Sequence, residues 1–343
     1  MSGVSIIGLD IAKNVFQAHG VDADGYQLFN CRITRGKVLE FFASQPRCLV
    51  ALEACGSAHY WGRELRKLGH EVRLIPPTYV KPFVKRQKND AADAEAICEA
   101  VQRPNMRFVA IKSEEQQASA LVFRTRDLLV RQRTQTINAI RSHLAEHGWV
   151  APRGPSWVLL LGDLIDEDVG SSLPASAKEM FKVMLSMLEE LNRQVAILDK
   201  EIARRARKDE VARRLMTIPG IGPIAATAIA ALAPPAETFK RGRDFAAWLG
   251  LTPRQKSTGG KTRLGKTSKM GERTLRRLLI IGSSTVVQHA SRRGAPDGTW
   301  LASMLRRKPR MLVTVAQANK TARIVWAVLV KGEDYRAPVA AAA

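Results

Sequence analysis

The chain has 343 residues, 45% of them hydrophobic and 25% charged, with a formal net charge of +22 at pH 7 and a pI near 10.4. That length provides two or three domains with buried cores. The charge calls for a polyanionic partner, and the absence of any apolar segment of 18 residues favours nucleic acid over a membrane.

The charge is unevenly placed. Residues 241–331 carry 20 Lys and Arg against 3 Asp and Glu, whereas residues 1–112 carry 16 against 11. Such a basic block is the electrostatic footprint of a nucleic-acid-binding domain. The four cysteines, Cys31, Cys48, Cys55 and Cys98, fit no zinc spacing. With no signal peptide ahead of them, they are expected to be reduced, buried thiols of a cytoplasmic protein.

Taken in order, residues 4–9 are an apolar run of strand length that delivers Asp10 at its end. Residues 14–21 and 26–33 read as two further strands, joined by a turn that closes on Gly25. Residues 36–44 look helical, and 48–53 form a fourth strand that again ends in a carboxylate, Glu53. Residues 58–68 are amphipathic, 70–75 form a fifth strand, and 90–100 are strongly helical. The order βββαβαβα predicts a ribonuclease-H-like α/β domain over residues 1–105.

A long helix follows over 113–147, started by Ser-Glu-Glu and stopped by Gly148. Its Arg124, Arg126, Arg131, Arg133 and Arg141 form a basic stripe, either a solvated face or a phosphate contact. A linker marked by Pro152, Pro155, Gly162 and Gly170 leads to a second helical stretch, where Leu188, Leu191, Val195, Leu198 and Ile202 make a short a/d seam. Residues 106–210 are thus expected to be a helical, coiled-coil arm, serving as a hairpin or as a dimer contact.

Residues 211–335 are expected to be a mainly α domain, followed by a tail over 336–343. Residues 218–232 carry a helix-hairpin-helix signature, in which Gly220 and Gly222 allow a tight turn whose amides can face a phosphate. The alternative is a glycine turn used only for packing.

Two constellations carry chemistry. Asp10 and Glu53 end neighbouring strands, and Asp90 and Asp93 lie three apart at a helix start, hence on one face. Four converging carboxylates in a basic protein suit a pair of Mg²⁺ ions acting on a phosphodiester. Glu95 and Glu99 fall lower on the helix and are expected to be solvated, and His59 is expected to be structural.

The second constellation is the polar stretch 253–269, with Arg254, Lys256, Lys261, Arg263, Lys266 and Lys269 around several hydroxyls, ahead of a helix over 272–282 that begins with Arg276 and Arg277 in its first turns. These cations are candidate DNA contacts. Residues 260–267 fit the string GxxxxGK[ST], but no buried strand precedes them and no helix starts at the Lys-Thr, so a nucleotide-binding loop is discounted. A serine needs help to lose its proton, which nearby cations or a metal can give. On chemistry alone Ser257, Thr258, Thr262, Thr267 and Ser268 are not ranked.

Together these motifs resemble the DEDD-type transposases of bacterial insertion sequences, related to the Piv DNA invertase. The resemblance runs through GLDIAK, LEACG, KNDAADAEAI, RTRDLLVRQRTQTINAIRSHLAEHG, TIPGIGPIAATAI and GLTPRQKSTGGKTRLGKTSKMGERTLRRLL, and it covers residues 4–332 in order. It implies a RuvC-like domain whose acidic quartet is Asp10, Glu53, Asp90 and Asp93, a coiled-coil segment, and a transposase domain with Ser257 as nucleophile. Many members read Ser-Ser-Gly-Gly where this chain has Ser257, Thr258, Gly259 and Gly260. The resemblance further implies donor and target double-stranded DNA, a structured guide RNA, a homo-oligomer (dimer or tetramer) and a place in the bacterial cytoplasm, at the nucleoid when bound.

Two rivals stand beside it. One is a RuvC-like junction nuclease in which water attacks and Ser257 only binds phosphate. The other is a non-enzymatic nucleic-acid-binding protein, which leaves the carboxylates unexplained because acids near DNA cost affinity. A helix of about 35 residues from Ser113 would span about 50 Å. Unless the arm folds back on itself, one chain's serine is therefore expected to meet another chain's acids.

Overall fold

A computed structural model describes residues 3–85, 89–150, 173–296 and 298–337. They fall into two compact units, Met1–Gln117 and Ala118–Ala343. The linker marked by Pro152, Pro155, Gly162 and Gly170 lies outside the described residues, as do Arg86, Lys88 and the end of the tail.

The first unit is built on five strands, β1 (Ile6–Asp10), β2 (Val15–Val21), β3 (Gln27–Thr34), β4 (Leu49–Glu53) and β5 (Glu71–Ile75), in the order β3-β2-β1-β4-β5. The meander β1-β2-β3 is antiparallel, and β1, β4 and β5 run parallel. The expected βββαβαβα connectivity is present, with helices α1 (Val38–Ser44), α2 (Ala58–Lys67) and α4 (Asp90–Val101); a short α3 (Pro77–Val80) is additional.

Alternation along the strands decides which helix lies on which face. Ile7, Leu9, Phe16, Ala18, Val50 and Leu52 point to one side and bury Val38 and Phe42 of α1 and Trp61 and Leu65 of α2. Ala51 and Ile75 face the other side, where α4 packs with Ile97, Ala100 and Val101. Contact is closest at Gly8, where an added Cβ would lie 2.2 Å from the Ala94 carbonyl and 2.7 Å from the Cys98 amide. Cys98 is sealed there, and burial pushes its thiol up to about 12. The expectation of four buried thiols holds for Cys48 and Cys98; Cys31 is half-buried and Cys55 exposed, and all four are free.

The second unit is mostly helical. Helix α5 (Glu114–Glu146) and α6 (Ala175–Lys208) fold into an antiparallel hairpin. Arg126 reaches across it to both carboxylate oxygens of Asp199, with Nη2 to Oδ2 at 3.2 Å. Arg133 approaches Asn192 Oδ1 at 3.5 Å. Ile140, Leu144, Phe181 and Leu188 fill the far end. The arm therefore folds back on itself, and the argument from its length for separating the serine from the acids lapses. Nor is the basic stripe a uniform solvated face: Arg126 and Arg133 bind across the hairpin, and Arg131 sits 3.7 Å from Asp127.

At the near end Ala120, Phe123 and Ile202 join one core with α7 (Glu210–Leu215), α8 (Pro223–Leu232), α9 (Gly242–Trp248), α10 (Arg273–Arg293) and α12 (Arg310–Lys331). Helix α11 (Trp300–Arg307) precedes α12, and β6 (Pro253–Gln255) pairs antiparallel with β7 (Leu264–Thr267). Helix α10 does not stop at Gly282 as expected but runs through it. A Cβ there would meet the Gly220 carbonyl at 1.9 Å, so this glycine serves close packing rather than termination. No helix among the described residues is long and apolar enough to cross a membrane.

The Gly8 contact gives a stability prediction. Gly8→Ala is expected to destabilise the first unit by at least about 1–3 kcal/mol, the usual cost of overpacking. Urea titration of the two proteins checks it.

Candidate functional site

The acidic centre is assembled by strand pairing and by the seating of α4. Since Ile7 and Leu9 of β1 and Val50 and Leu52 of β4 point into one core, Asp10 and Glu53 project on the α4 side. Helix α4 begins where Asn89, in extended conformation, accepts a hydrogen bond from the Ala91 amide at 2.9 Å. That cap starts the helix with Asp90 and Asp93 in its first turn.

Carboxylate oxygens of Asp10, Asp90 and Asp93 lie within 4.8 Å of one another. Glu53 stands outside this trio but close to it: burial raises its pKa, and Asp10 and Asp93 raise it further. An all-oxygen, anionic donor set of this kind fits a hard divalent cation. Of the quartet read from the sequence, the structure thus brings three together and places the fourth at their margin.

Glu95 is bound by Lys85 at 2.6 Å and Glu99 by Arg103, so both are paired rather than merely solvated. His59 Nδ1 accepts from the Lys112 amide at 3.3 Å, a structural bond.

A polar group under α4 was not foreseen. Gln17, the register partner of Asp10, donates to Asn30, and Asn30 Nδ2 reaches His19 Nδ1 at 3.2 Å and the Ala91 carbonyl at 3.5 Å. Burial lowers the His19 pKa, with Lys85 adding to this and Glu95 opposing it. A neutral imidazole can accept at Nδ1, as that contact requires. The available signal was Gln17 and His19 alternating with Phe16 and Ala18 in β2, polar residues on a face that a helix covers.

In the second unit, β6 and β7 carry the basic stretch as an exposed hairpin. Its tip turns at Gly259 (φ 53°) and Gly260 (φ 75°). Ser257 Oγ accepts from the Arg263 amide at 3.1 Å, and the Lys256 amide donates to the Arg263 carbonyl at 2.8 Å. Arg254, Lys256, Lys261, Arg263, Lys266 and Lys269 are all exposed. Lys266 and Thr267 lie in a strand, not at a helix start, in keeping with the discounted nucleotide loop.

Arg276 and Arg277 differ from these six. Arg276 bonds backbone carbonyls, and Arg277 pairs with Asp127 of α5. Gly220 (φ 86°) packs against α10, with an added Cβ 2.8 Å from the Gly282 carbonyl, whereas Gly222 opens onto free space and precedes Pro223 at the start of α8.

Comparison with known proteins gives a consistent picture. Residues 7–148 match the DEDD transposase family of the IS110 type, described as "Transposase", and residues 212–296 match the "Transposase IS116/IS110/IS902 family". A probable family 20 transposase of Pseudomonas aeruginosa is 48% identical over 97% of this chain and 99% of its own length. The transposase for insertion sequence element IS1328 of Yersinia enterocolitica is 39% identical, covering 97% and 98%. That for IS1111A of Coxiella burnetii is 38% identical, covering 98% and 92%.

The raised pKa of Glu53 has a measurable consequence. As pH climbs above its ordinary 4.5, the unfolded chain releases this proton before the folded one does. Ionising Glu53 therefore lowers the stability of the metal-free protein as pH rises through the raised value, and the loss persists at neutral pH. Glu53→Gln is expected to melt higher than the wild type in EDTA at pH 7, with the difference shrinking below pH 4. Calorimetry at both pH values checks this, and equal melting at pH 7 counts against it.

Proposed function

Because the chain belongs to the IS116/IS110/IS902 family of DEDD transposases and so serves the movement of an insertion sequence, we propose that it cuts and rejoins DNA through Ser257, promoted by divalent metal at the acidic centre. The observation that carries the reading is the convergence of Asp10, Asp90 and Asp93 from a strand end and a helix start. Three carboxylates this close repel one another unless a cation joins them. Asp10, Asp90 and Asp93 would hold it, and Glu53 would close the set. The cation on this reading would be Mg²⁺, as a pair of ions, and it would polarise the phosphodiester and offset charge on the entering and leaving oxygens.

Ser257 is favoured over its neighbouring hydroxyls by its bond from the Arg263 amide, because a donor aimed at Oγ favours charge developing on that oxygen. The exposed cations of the hairpin would hold the phosphate. In the step proposed, the Ser257 Oγ–P bond forms as the bond from phosphorus to the leaving DNA oxygen breaks. The hydroxyl proton is lost, and the leaving oxygen takes one up. Rejoining reverses this with a new DNA hydroxyl.

On this reading residues 1–105 supply the acids, 106–210 the arm, and 211–335 the serine and most of the DNA contact. The partners are donor and target double-stranded DNA, a structured guide RNA and further copies of this chain, as dimer or tetramer. A turn of helix-hairpin-helix type at Gly222 would add backbone amides to the DNA contact, since its Gly222 side is open.

Strand cleavage with labelled target DNA tests the proposal. Asp10→Ala and Ser257→Ala should each abolish cleavage while leaving DNA binding intact, and denaturing gels of the wild type should show DNA covalently linked to protein. Water-terminated nicks, or wild-type cleavage by Ser257→Ala, would favour the nuclease with water as nucleophile. Ribonuclease treatment should remove site-directed cleavage; unaffected targeting rejects the guide RNA.

A second measurement addresses the hairpin cations. Binding should weaken with salt at a log–log slope of about −0.9 per phosphate contacted. Glu at Lys261, Lys266 and Lys269 together should flatten that slope, and an unchanged slope places the contact elsewhere.

A further inference from the structure

The Ser257 hairpin is exposed along its length but joins the helical core through a crowded neck. Helix α9 ends with the Leu251 amide bonded to the Ala246 carbonyl at 3.0 Å and the Gly250 amide to the Ala247 carbonyl at 2.9 Å. That is a left-handed helix stop, with Gly250 at φ 72°. The returning strand closes on it directly: the Ser268 amide bonds the Thr252 carbonyl at 2.8 Å, and the Lys269 amide bonds the Gly250 carbonyl at 3.1 Å.

No side chain fits between the two passes. A Cβ on Gly250 would lie 2.0 Å from the Met270 carbonyl, and one on Gly271 would lie 1.8 Å from the Trp248 carbonyl. Lys269 itself is held at φ 55°, a conformation that a residue with a side chain adopts only where its surroundings impose it.

This geometry leaves two carbonyls, Leu249 at the end of α9 and Met270 on the return, without a ladder partner between the passes. Arg276, one turn into α10, points its Nη1 at both, 3.1 Å from each. Asn319 of α12 donates to the neighbouring Leu251 carbonyl at 3.2 Å. Leu249 and Leu251 are buried in the core on either side of Gly250.

We propose that Arg276 is a positioning residue: its guanidinium clamps the outgoing and returning strands at the neck and so fixes the direction in which the hairpin presents Ser257. Within the basic block it serves the protein's own backbone rather than a phosphate. A cation bonded to two carbonyls neutralises the helix C-terminus and gains charge-assisted bonds, so it holds more strongly than a neutral donor. Gly250, Lys269 and Gly271 give the neck its path, and Arg276 keeps it closed.

The consequence for catalysis rests on the reading of Ser257 as nucleophile; the clamp itself does not. Arg276→Met and Arg276→Lys separate the two. Native-state hydrogen exchange of the full chain should show the Ser268 and Lys269 amides losing protection by about tenfold or more in Arg276→Met, with the middle of α10 unchanged and partial recovery in Arg276→Lys. For strand cleavage, kcat should fall by roughly ten- to a hundredfold, as expected for a misplaced reacting group. The salt dependence of DNA binding should stay as in the wild type. If Arg276 instead touches DNA, exchange is unaltered and the log–log salt slope falls by about 0.9, one phosphate lost, which overturns the proposal. Should Arg276→Met fail to fold, Arg276→Lys, which keeps the charge and the stem packing, is read by exchange: intermediate loss of protection at Ser268 and Lys269 supports the clamp, and unaltered protection overturns it. Failure of the serine reading is recognised separately: Ser257→Ala would cleave normally while the exchange effect of Arg276 persists.

Discussion

The acidic centre depends on how closely α4 lies on β1. Gly8 has no side chain, and the facing turn of α4 is built from Ala94 and Cys98, so helix and strand meet at backbone distance. Only then does the first turn of α4, just before Ala94, bring Asp90 and Asp93 to the carboxylate at the end of β1. A larger residue at position 8 would lift the helix and open the trio. Stability and chemistry are thus coupled through one contact, and Ile97, Ala100 and Val101 extend the same packing of helix on sheet.

The basic charge of the second unit is divided between two uses. Arg126 and Arg277 are spent on Asp199 and Asp127, joining α5 to α6 and to α10, and Arg276 is spent on backbone carbonyls. Arg254, Lys256, Lys261, Arg263, Lys266 and Lys269 on the hairpin remain exposed. Desolvating a charge is costly unless it is paired, so arginines on core-facing helix surfaces carry acids or carbonyls with them, while a two-stranded ribbon with no core of its own leaves its cations in water. Net charge alone overstates the number of cations free for a polyanion.

Much of the first unit was legible because its signals are local. Apolar runs of five to seven residues, a turn at Gly25 and the strong helix propensity of residues 90–100 fix strands and helix within a few residues of where they fall. Less local features were not. The arm's antiparallel closure needs partners as far as 73 residues apart, such as Arg126 with Asp199, and periodicity carries no information about which helix faces which. Gly282 looked like a helix stop because glycine is a poor helix former; its role became evident only against the Gly220 carbonyl.

By itself the sequence determined the element types, the four acidic positions, the basic block and the family to which those motifs belong, since each of these is a matter of residue identity and short spacing. Tertiary structure alone decided that Asp10, Asp90 and Asp93 form the tight trio with Glu53 beside it, that Gln17, His19 and Asn30 support the helix above them, and that Arg276 and Arg277 turn inward. The reason is physical. Convergence of carboxylates, and whether an arginine meets an acid, a carbonyl or water, depend on distances between segments remote in the chain, and those distances are set by packing rather than by local preference.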